Sequence, residues 1–390
     1  MLRRLFGAGR QMQHFSSFAS LLLANYANRK TILAVWVRLG LLRALHSLTH
    51  WIAGTGPWAP WWFLALFLAA SFLMVWRLEA MSASGVEGTV LGTLVMPYCS
   101  GMGNLIFTFI LARNGGPGAE VMTNCLVNNV TNMTLIIGLP AIFWGMRLLP
   151  KQQSKEKKRR ATKEHQINRL SLLLTLTAVL FFTGAVWALA HDGWLAAARG
   201  ELSVASGQLD FGDGLVLVGL FLFWQVFHVF DVLKANVRQN RSFSRMLLVD
   251  LALLGIGAYA IYISVDWLVA WILKIETGFI SAKHLGWLSG WLMVLPNAVL
   301  AFYYGWTRRP EVVYTSQVGD GHICIPLCVG LYALYQPLAV PAIFNTGMVM
   351  LVGATLVHFF FVAAFGCLPR WMGWVLVAAY GVFLYKGLLP

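Results

Sequence analysis

From residue 58 to residue 388 the chain is a succession of apolar runs, most of them about 20 residues or longer, broken by polar connectors. A run of that length crosses the hydrocarbon core of a bilayer as one helix, because ~20 residues rising ~1.5 Å each cover ~30 Å. In hydrocarbon every backbone N–H and C=O must be paired within its own segment or within a closed barrel. Barrel strands alternate apolar and polar residues in short segments, and these runs are long and continuous. Hydrophobic residues make up 58% of the chain and charged residues 11%, a balance that excludes a water-soluble enzyme. The formal net charge of +14 is gathered in short stretches between apolar runs, as in cytoplasmic loops, so no nucleic acid is needed to explain it. The five cysteines fall mostly inside apolar segments and read as small buried hydrophobes, with no disulfide framework.

The runs predict an all-α membrane protein with ten spans, at residues 58–78, 86–112, 119–147, 170–191, 212–234, 246–274, 284–306, 311–335, 338–365 and 371–388. The strongly basic connectors at 151–169 and 235–245 are expected in the cytoplasm, and the acidic connector after the fourth span outside. With that orientation 17 of the 29 Lys and Arg lie inside and five outside, the other seven being in the first fifty residues. Residues 1–57 form a basic amino-terminal segment. Its stretch TILAVWVRLGLLRALHSL, with Arg38 and Arg43, is expected to lie as an amphipathic helix in the interface, or else to add an eleventh span. The organisation expected is this segment, a first membrane repeat at 58–234, a linker at 235–245 and a second repeat at 246–390. Lipid is the surrounding partner, and the inner (cytoplasmic) membrane of a bacterium is the expected location.

Two stretches of the chain repeat each other. Spans 2 and 3 contain VMPYCSGMGNLIFTFILARNGGPGAEVMTNCLVNNVTNMTLIIG, and spans 7 and 8 contain LMVLPNAVLAFYYGWTRRPEVVYTSQVGDGHICIPLCVG. Placing Asn124 on Ser316 brings Gly138 onto Gly330, and one extra residue brings Asn104 onto Asn297. The two stretches begin on opposite sides of the membrane, which is the mark of an inverted-topology transporter. Asn124, Asn128 and Asn132 recur every four residues and share one helix face; Ser316, Asp320, Cys324 and Cys328 do the same. A single asparagine in such a helix is explained by one interhelical hydrogen bond worth ~1 kcal/mol. A symmetric set facing across the repeat interface, with an acid among them, points instead to a lined binding site.

The segment Asn124 to Gly138 resembles the alpha repeat of the calcium/cation antiporter superfamily, which includes sodium/calcium exchangers and has a pattern close to G-N-x-x-G-S-N-x-x-N following a P-E or P-D pair. Asn124, Asn128, Asn129 and Asn132 fall on its Asn, Ser, Asn and Asn; in the second repeat Ser316, Gly319, Asp320, Gly321 and Cys324 take the corresponding places. Gly103-Asn104 and Pro296-Asn297 fall on the acidic pairs. The resemblance implies ten helices in two inverted five-helix repeats and transport by alternating access, with spans 1 and 6 moving past a midplane site between spans 2, 3, 7 and 8. Ion-binding residues are then expected at Asn104, Asn124, Asn128, Asn129, Asn132, Asn297, Ser316, Gln317 and Asp320, with Asp266 and His322 as further candidates for coupling.

The departures from the pattern bear on the cargo. Both acidic positions of the family are asparagine here, which offers a carbonyl oxygen without charge. Calcium takes six to eight oxygens and usually several carboxylates. With Asp320 as the one carboxylate of the repeat core, a divalent ion would keep about one uncompensated charge at low dielectric, at a cost of several kcal/mol. A monovalent or weakly bound cation exchanged for H+ or Na+, with Asp320 as the charge-changing group, fits better. No resident cofactor or metal is expected beyond the transported ion. Two rivals stay open: a carrier of a neutral or anionic solute, and a membrane enzyme or scaffold that keeps the fold, although no zinc-protease or phosphate-loop motif is present.

Overall fold

The computed structural model describes residues 47–83, 96–148, 155–191, 208–239 and 246–389. The amphipathic segment expected before residue 47 and residues 240–245 of the expected linker lie outside them. Contacts divide the chain after Trp62. In the first unit the described residues are a helical stretch at 47–53, a 3-10 turn Gly56–Trp58 and the opening of the next helix. Trp51, Trp58, Trp61 and Trp62 are exposed there, as membrane-surface anchors are.

The second unit, from Phe63 onward, is built of helices. In chain order they are α1 (Ala59–Ala83, begun in the first unit), α2 (Met96–Asn114), α3 (Gly118–Trp144), α4 (Lys155–Ala190) and α5 (Phe211–Gln239). There follow α6 (Met246–Ile272), α7 (Leu285–Trp306), α8 (Pro310–Ile323, continued by Cys324–Cys328 and Val329–Ala333), α9 (Phe344–Phe365) and α10 (Arg370–Leu388). Among the described residues seven helices are long and apolar enough to cross a membrane. Of the expected spans, 86–112 lies partly outside the described residues, 212–234 has its side chains described only as far as Val226, and 311–335 falls short of that standard. For α8 the reason is its polar first half, PEVVYTSQVGDGHI, in which Ser316, Gln317, Asp320 and His322 are buried.

Three expected boundaries are corrected. The basic stretch 151–169 is not simply a loop, since α4 begins at Lys155; Lys, Arg, Glu, Gln and Ala are strong helix formers and the stretch holds no Gly or Pro. α5 likewise runs on to Gln239, into the expected linker. The ninth span begins at Phe344 rather than 338. Leu338–Ala339 is extended there, where Pro337 and Pro341 each lack the N–H a helix interior needs.

Within α3 the residues Asn132–Ile136 form a π turn, and within α8 Cys324–Cys328 form another. A proline accompanies each. Pro140 would clash with the carbonyl of Ile136, the residue that closes the first π turn, and Pro326 lies inside the second. The two turns are 192 residues apart, as are the helix starts Gly118 and Pro310 and the short strands β1 (Met146–Arg147) and β3 (Leu338–Ala339). That is the offset at which the two sequences align.

Two antiparallel ladders tie the halves together. β1 pairs with β4 (Cys367–Leu368), which precedes α10, and β2 (Gln208–Leu209), which precedes α5, pairs with β3. The helices beside these ladders meet at glycines. A Cβ on Gly138 would lie 3.1 Å from the Gly373 carbonyl oxygen and one on Gly373 would lie 2.7 Å from that of Gly138. Gly330 and Gly214 repeat the contact at 3.2 and 2.9 Å. The carboxyl-terminal half of α3 therefore touches α10 backbone to backbone, and the last turns of α8 touch α5 in the same way.

Candidate functional site

α3 is the most enclosed of the seven long apolar helices, 78% of its apolar window lying inside the protein against 28% for α10. It packs on α7, α9 and α2, while α8 packs on α2, α7 and α4. Asparagines on α3 are thus never turned to lipid: Asn124, Asn128, Asn129 and Asn132 are fully buried, and so are Asn104 on α2 and Asp320 on α8. Each buried amide must find partners in protein.

The partners form a chain across four helices. Asp320 Oδ2 accepts from Asn132 Nδ2 at 3.1 Å and from Asn297 Nδ2. Asn132 Nδ2 also donates to Asn128 Oδ1 at 3.1 Å, and Asn128 Nδ2 reaches Asn104 Oδ1 at a long 3.5 Å. Asn104 and Asn128 thereby correspond to Asn297 and Asp320 in the repeat, with Asn132 as the bridge. Asn132 and Asn297 hold Asp320 through Oδ2. Gln317 is one bond further out: its Nε2 donates to the Asn297 backbone oxygen at 3.3 Å and to Ser316 Oγ at 3.0 Å.

The donors fix how the amides are oriented. Nitrogens of Asn132, Asn297, Gln317 and Asn129 each meet an oxygen that can only accept, a carboxylate or a carbonyl, so a flipped amide would place oxygen against oxygen. Asn129 Nδ2 bonds the Cys125 carbonyl at 2.7 Å, and Asn124 Nδ2 donates to Ser289 Oγ at 3.0 Å, whose own proton goes to Gly286 O. What remains is a set of acceptors. Asn124 Oδ1, Asn129 Oδ1, Asn132 Oδ1, Asn297 Oδ1 and Gln317 Oε1 are all buried and receive no hydrogen bond.

A cavity of about 10 Å³, room for roughly one water, opens beside Asn297 where α1, α2, α6 and α7 meet. Ser71 and Asn297 give it polar walls, and Phe67, Ile261 and Met293 close it.

Other expected residues stand apart. Ser316 Oγ turns back to Val313 O at 3.1 Å while accepting from Gln317. Asp266 is half-buried on α6, within electrostatic reach of Arg113 at the end of α2, and shares no hydrogen bond with the asparagine chain. His322 is buried two residues beyond Asp320. Cys125 Sγ donates to the Cys324 carbonyl at 3.3 Å, and Cys125, Cys324 and Cys328 are all buried near that contact. Among the described residues no group of three or more His, Cys, Asp or Glu is arranged to hold a metal ion.

Two residues carry more structure than the sequence indicated. His358, two turns before the end of α9, is fully buried. Its Nε2 faces the Met133 carbonyl at 2.7 Å, so that nitrogen carries the proton, and Nδ1 faces the Tyr314 hydroxyl at 3.4 Å. Met133 lies in the π turn, so His358 is a clamp on the very turn that begins with Asn132. Ser289, the partner of Asn124, carried one legible signal: it lies eight residues before Asn297, on the same face of α7.

Residues 56–230 match the family model described as sodium/calcium exchanger protein. The fold is similar to that of the sodium-calcium exchanger NCX_Mj. A structure of that protein soaked with 2.5 mM Na+ and 10 mM Sr2+ aligns with a TM-score of 0.54 at 20% identity, covering 84% of this chain and 96% of the other. A second, soaked with zero Na+ and Ca2+, aligns with a TM-score of 0.54 at 19% identity, covering 83% and 96%. No curated protein sequence matches at comparable significance. The match to the family model covers somewhat less than half of the chain, α1 to most of α5, and the likeness to NCX_Mj along most of the chain is one of fold.

Proposed function

We propose that this protein is a cation antiporter, a ten-helix, inverted-repeat exchanger whose cargo is a monovalent cation, exchanged for H+ or Na+ at a site formed by Asp320 and the surrounding amides. The observation that carries the reading is the set of buried amide oxygens without donors on Asn132 and Asn297, which hold the Asp320 carboxylate, and on Gln317, one bond further out. An unpartnered buried acceptor costs ~1–3 kcal/mol, and a hard cation is the ligand that turns several such oxygens into coordination. One carboxylate balances one positive charge. The constant offset between α3 and α8, the matched π turns and the two ladders support the repeat; the cavity beside Asn297 supports access from the side of α1 and α6.

In this mechanism Asp320 is the group that alternates. It is charged while the cation is bound and, in the H+ coupled form, takes a proton when the cation leaves, so that a single buried charge is never left alone in hydrocarbon. Asn132 and Asn297 donate to the carboxylate and hold it in place, and their oxygens face the cargo.

The test is flux in proteoliposomes holding the purified protein, with pH and Na+ gradients imposed in turn and Na+, K+, Ca2+, Mg2+, Mn2+ and Zn2+ offered separately. The expected result is gradient-driven uptake of a monovalent cation that is lost in Asp320→Asn. Uptake of divalent ions alone, or full coupling in Asp320→Asn, would overturn the reading. Silence for every cation from a folded protein would favour a neutral or anionic solute.

A further inference from the structure

Asn128 and Asp320 occupy corresponding places in the two repeats, 192 residues apart like the π turns that follow them. Their surroundings correspond as well. Asp320 receives Asn297 Nδ2 and Asn132 Nδ2; Asn128 Oδ1 receives the same Asn132 Nδ2 at 3.1 Å and has Asn104 beside it. One detail separates them. Asn104 turns its oxygen toward Asn128, as it must to accept from Asn128 Nδ2, and its own Nδ2 is buried without a partner.

That orphaned nitrogen makes position 128 ready for a carboxylate. If residue 128 were an aspartate, turning the Asn104 amide over would point its Nδ2 at the new carboxylate, as Asn297 points at Asp320. The Asn104 oxygen would move to where the unpartnered nitrogen lies now, so no existing bond is lost by the turn. Asn132 already donates to both positions through its two amide hydrogens and would serve two carboxylates without moving. The long 3.5 Å contact would become a charge-assisted bond of ~2.8 Å.

We infer that Asn128 is the specificity-determining residue that sets the charge of the ion this exchanger accepts, and that an acid there converts a one-carboxylate site for monovalent ions into a two-carboxylate site for divalent ones. The inference rests on the proposed cation site around Asp320. The amide at 128 supplies an oxygen of the same shape as a carboxylate but leaves the second charge of a divalent ion unmatched in hydrocarbon. Selectivity then lies in one formal charge on an otherwise unchanged frame.

Three purified proteins decide it: wild type, Asn128→Asp, and the exchange variant Asn128→Asp with Asp320→Asn, which moves the single carboxylate to the corresponding place. Binding of Na+, K+, Ca2+ and Sr2+ is measured by isothermal titration and by the shift of thermal unfolding in detergent, with flux in proteoliposomes beside them. Asn128→Asp should bind Ca2+ or Sr2+ at least about tenfold tighter than wild type. The exchange variant should keep the preference of wild type for monovalent ions. A folded Asn128→Asp whose divalent affinity stays within about twofold of wild type overturns the inference while the wild-type response to monovalent ions leaves the site itself standing. Should Asn128→Asp fail to fold, the exchange variant decides: loss of all cation binding in it, when folded, means the two positions are not equivalent. Absence of any cation response in wild type would instead remove the proposed site.

Discussion

An asparagine amide has two hydrogen-bonding ends, and in hydrocarbon both normally need a partner inside the protein. In this chain the nitrogen ends are mostly used and many oxygen ends are not, a one-sidedness that separates a lined site from ordinary interhelical glue. Asn132 bears the most weight, since one nitrogen serves both Asp320 and Asn128. Replacing it with alanine should remove a bond to a charged group worth ~1.5–3 kcal/mol and lower cation affinity by about tenfold or more, read as a fall in unfolding temperature and a raised KM. An Asn132→Ala protein with unchanged KM would remove Asn132 from the site. The four-residue spacing made these residues legible, because it fixes which face they share. The pairing was not legible. Spacing says nothing about the height at which two crossing helices meet, and α8 meets α3 so that Asp320 lies level with Asn132, one turn beyond its counterpart Asn128.

At the scale of the element, apolar runs set helix limits to within a few residues for α3, α6, α7, α8 and α10. They failed where polar sequence is itself helical, at Lys155 to Arg169, and where proline interrupts an apolar run, before Phe344. The π turns were also hidden, because one added residue barely disturbs an apolar period over a single turn; Pro140 and Pro326 were the available signals. His358 escaped for a related reason, since its role depends on a carbonyl in such a turn. The glycine contacts lead to a paired prediction within α10. Gly373→Ala must push its methyl against the Gly138 carbonyl, at 2.7 Å, and should destabilise the protein by ~1–3 kcal/mol. Gly381→Ala meets nothing within 4 Å and should be neutral or slightly stabilising. Thermal unfolding of the two in the same detergent checks the pair, and equal shifts would mean that the α3 to α10 contact carries no tension.

Over the whole molecule, α1 and α6 run antiparallel as a pair. Phe63 stacks on Trp267 at 4.4 Å, Gly257 faces Met74, and Arg77 forms an ion pair with Asp250 at 3.6 Å. In the proposed exchange mechanism these two helices would move together past α2 and α7, where the small cavity lies. If α1 and α6 move as the proposed mechanism has it, Asp250→Asn should lower kcat while leaving the cation KM within about twofold, because it breaks the ion pair between them and touches no proposed ligand. A raised KM with kcat intact would place Asp250 in binding instead. The long apolar helices were legible in the sequence, and so was the offset of 192 residues at which the helix starts and π turns recur, because the glycines and polar positions of the two stretches align. Invisible there were the contacts between copies, since nothing in a linear pattern says that the strand closing one half is completed by the other. That interlacing governs how the protein is made. Helices can enter the membrane one after another as synthesis proceeds, but β1 must wait for Cys367–Leu368 and β2 for Leu338–Ala339. A nascent first half thus holds these strand edges open until Leu338–Ala339 and Cys367–Leu368 have left the ribosome.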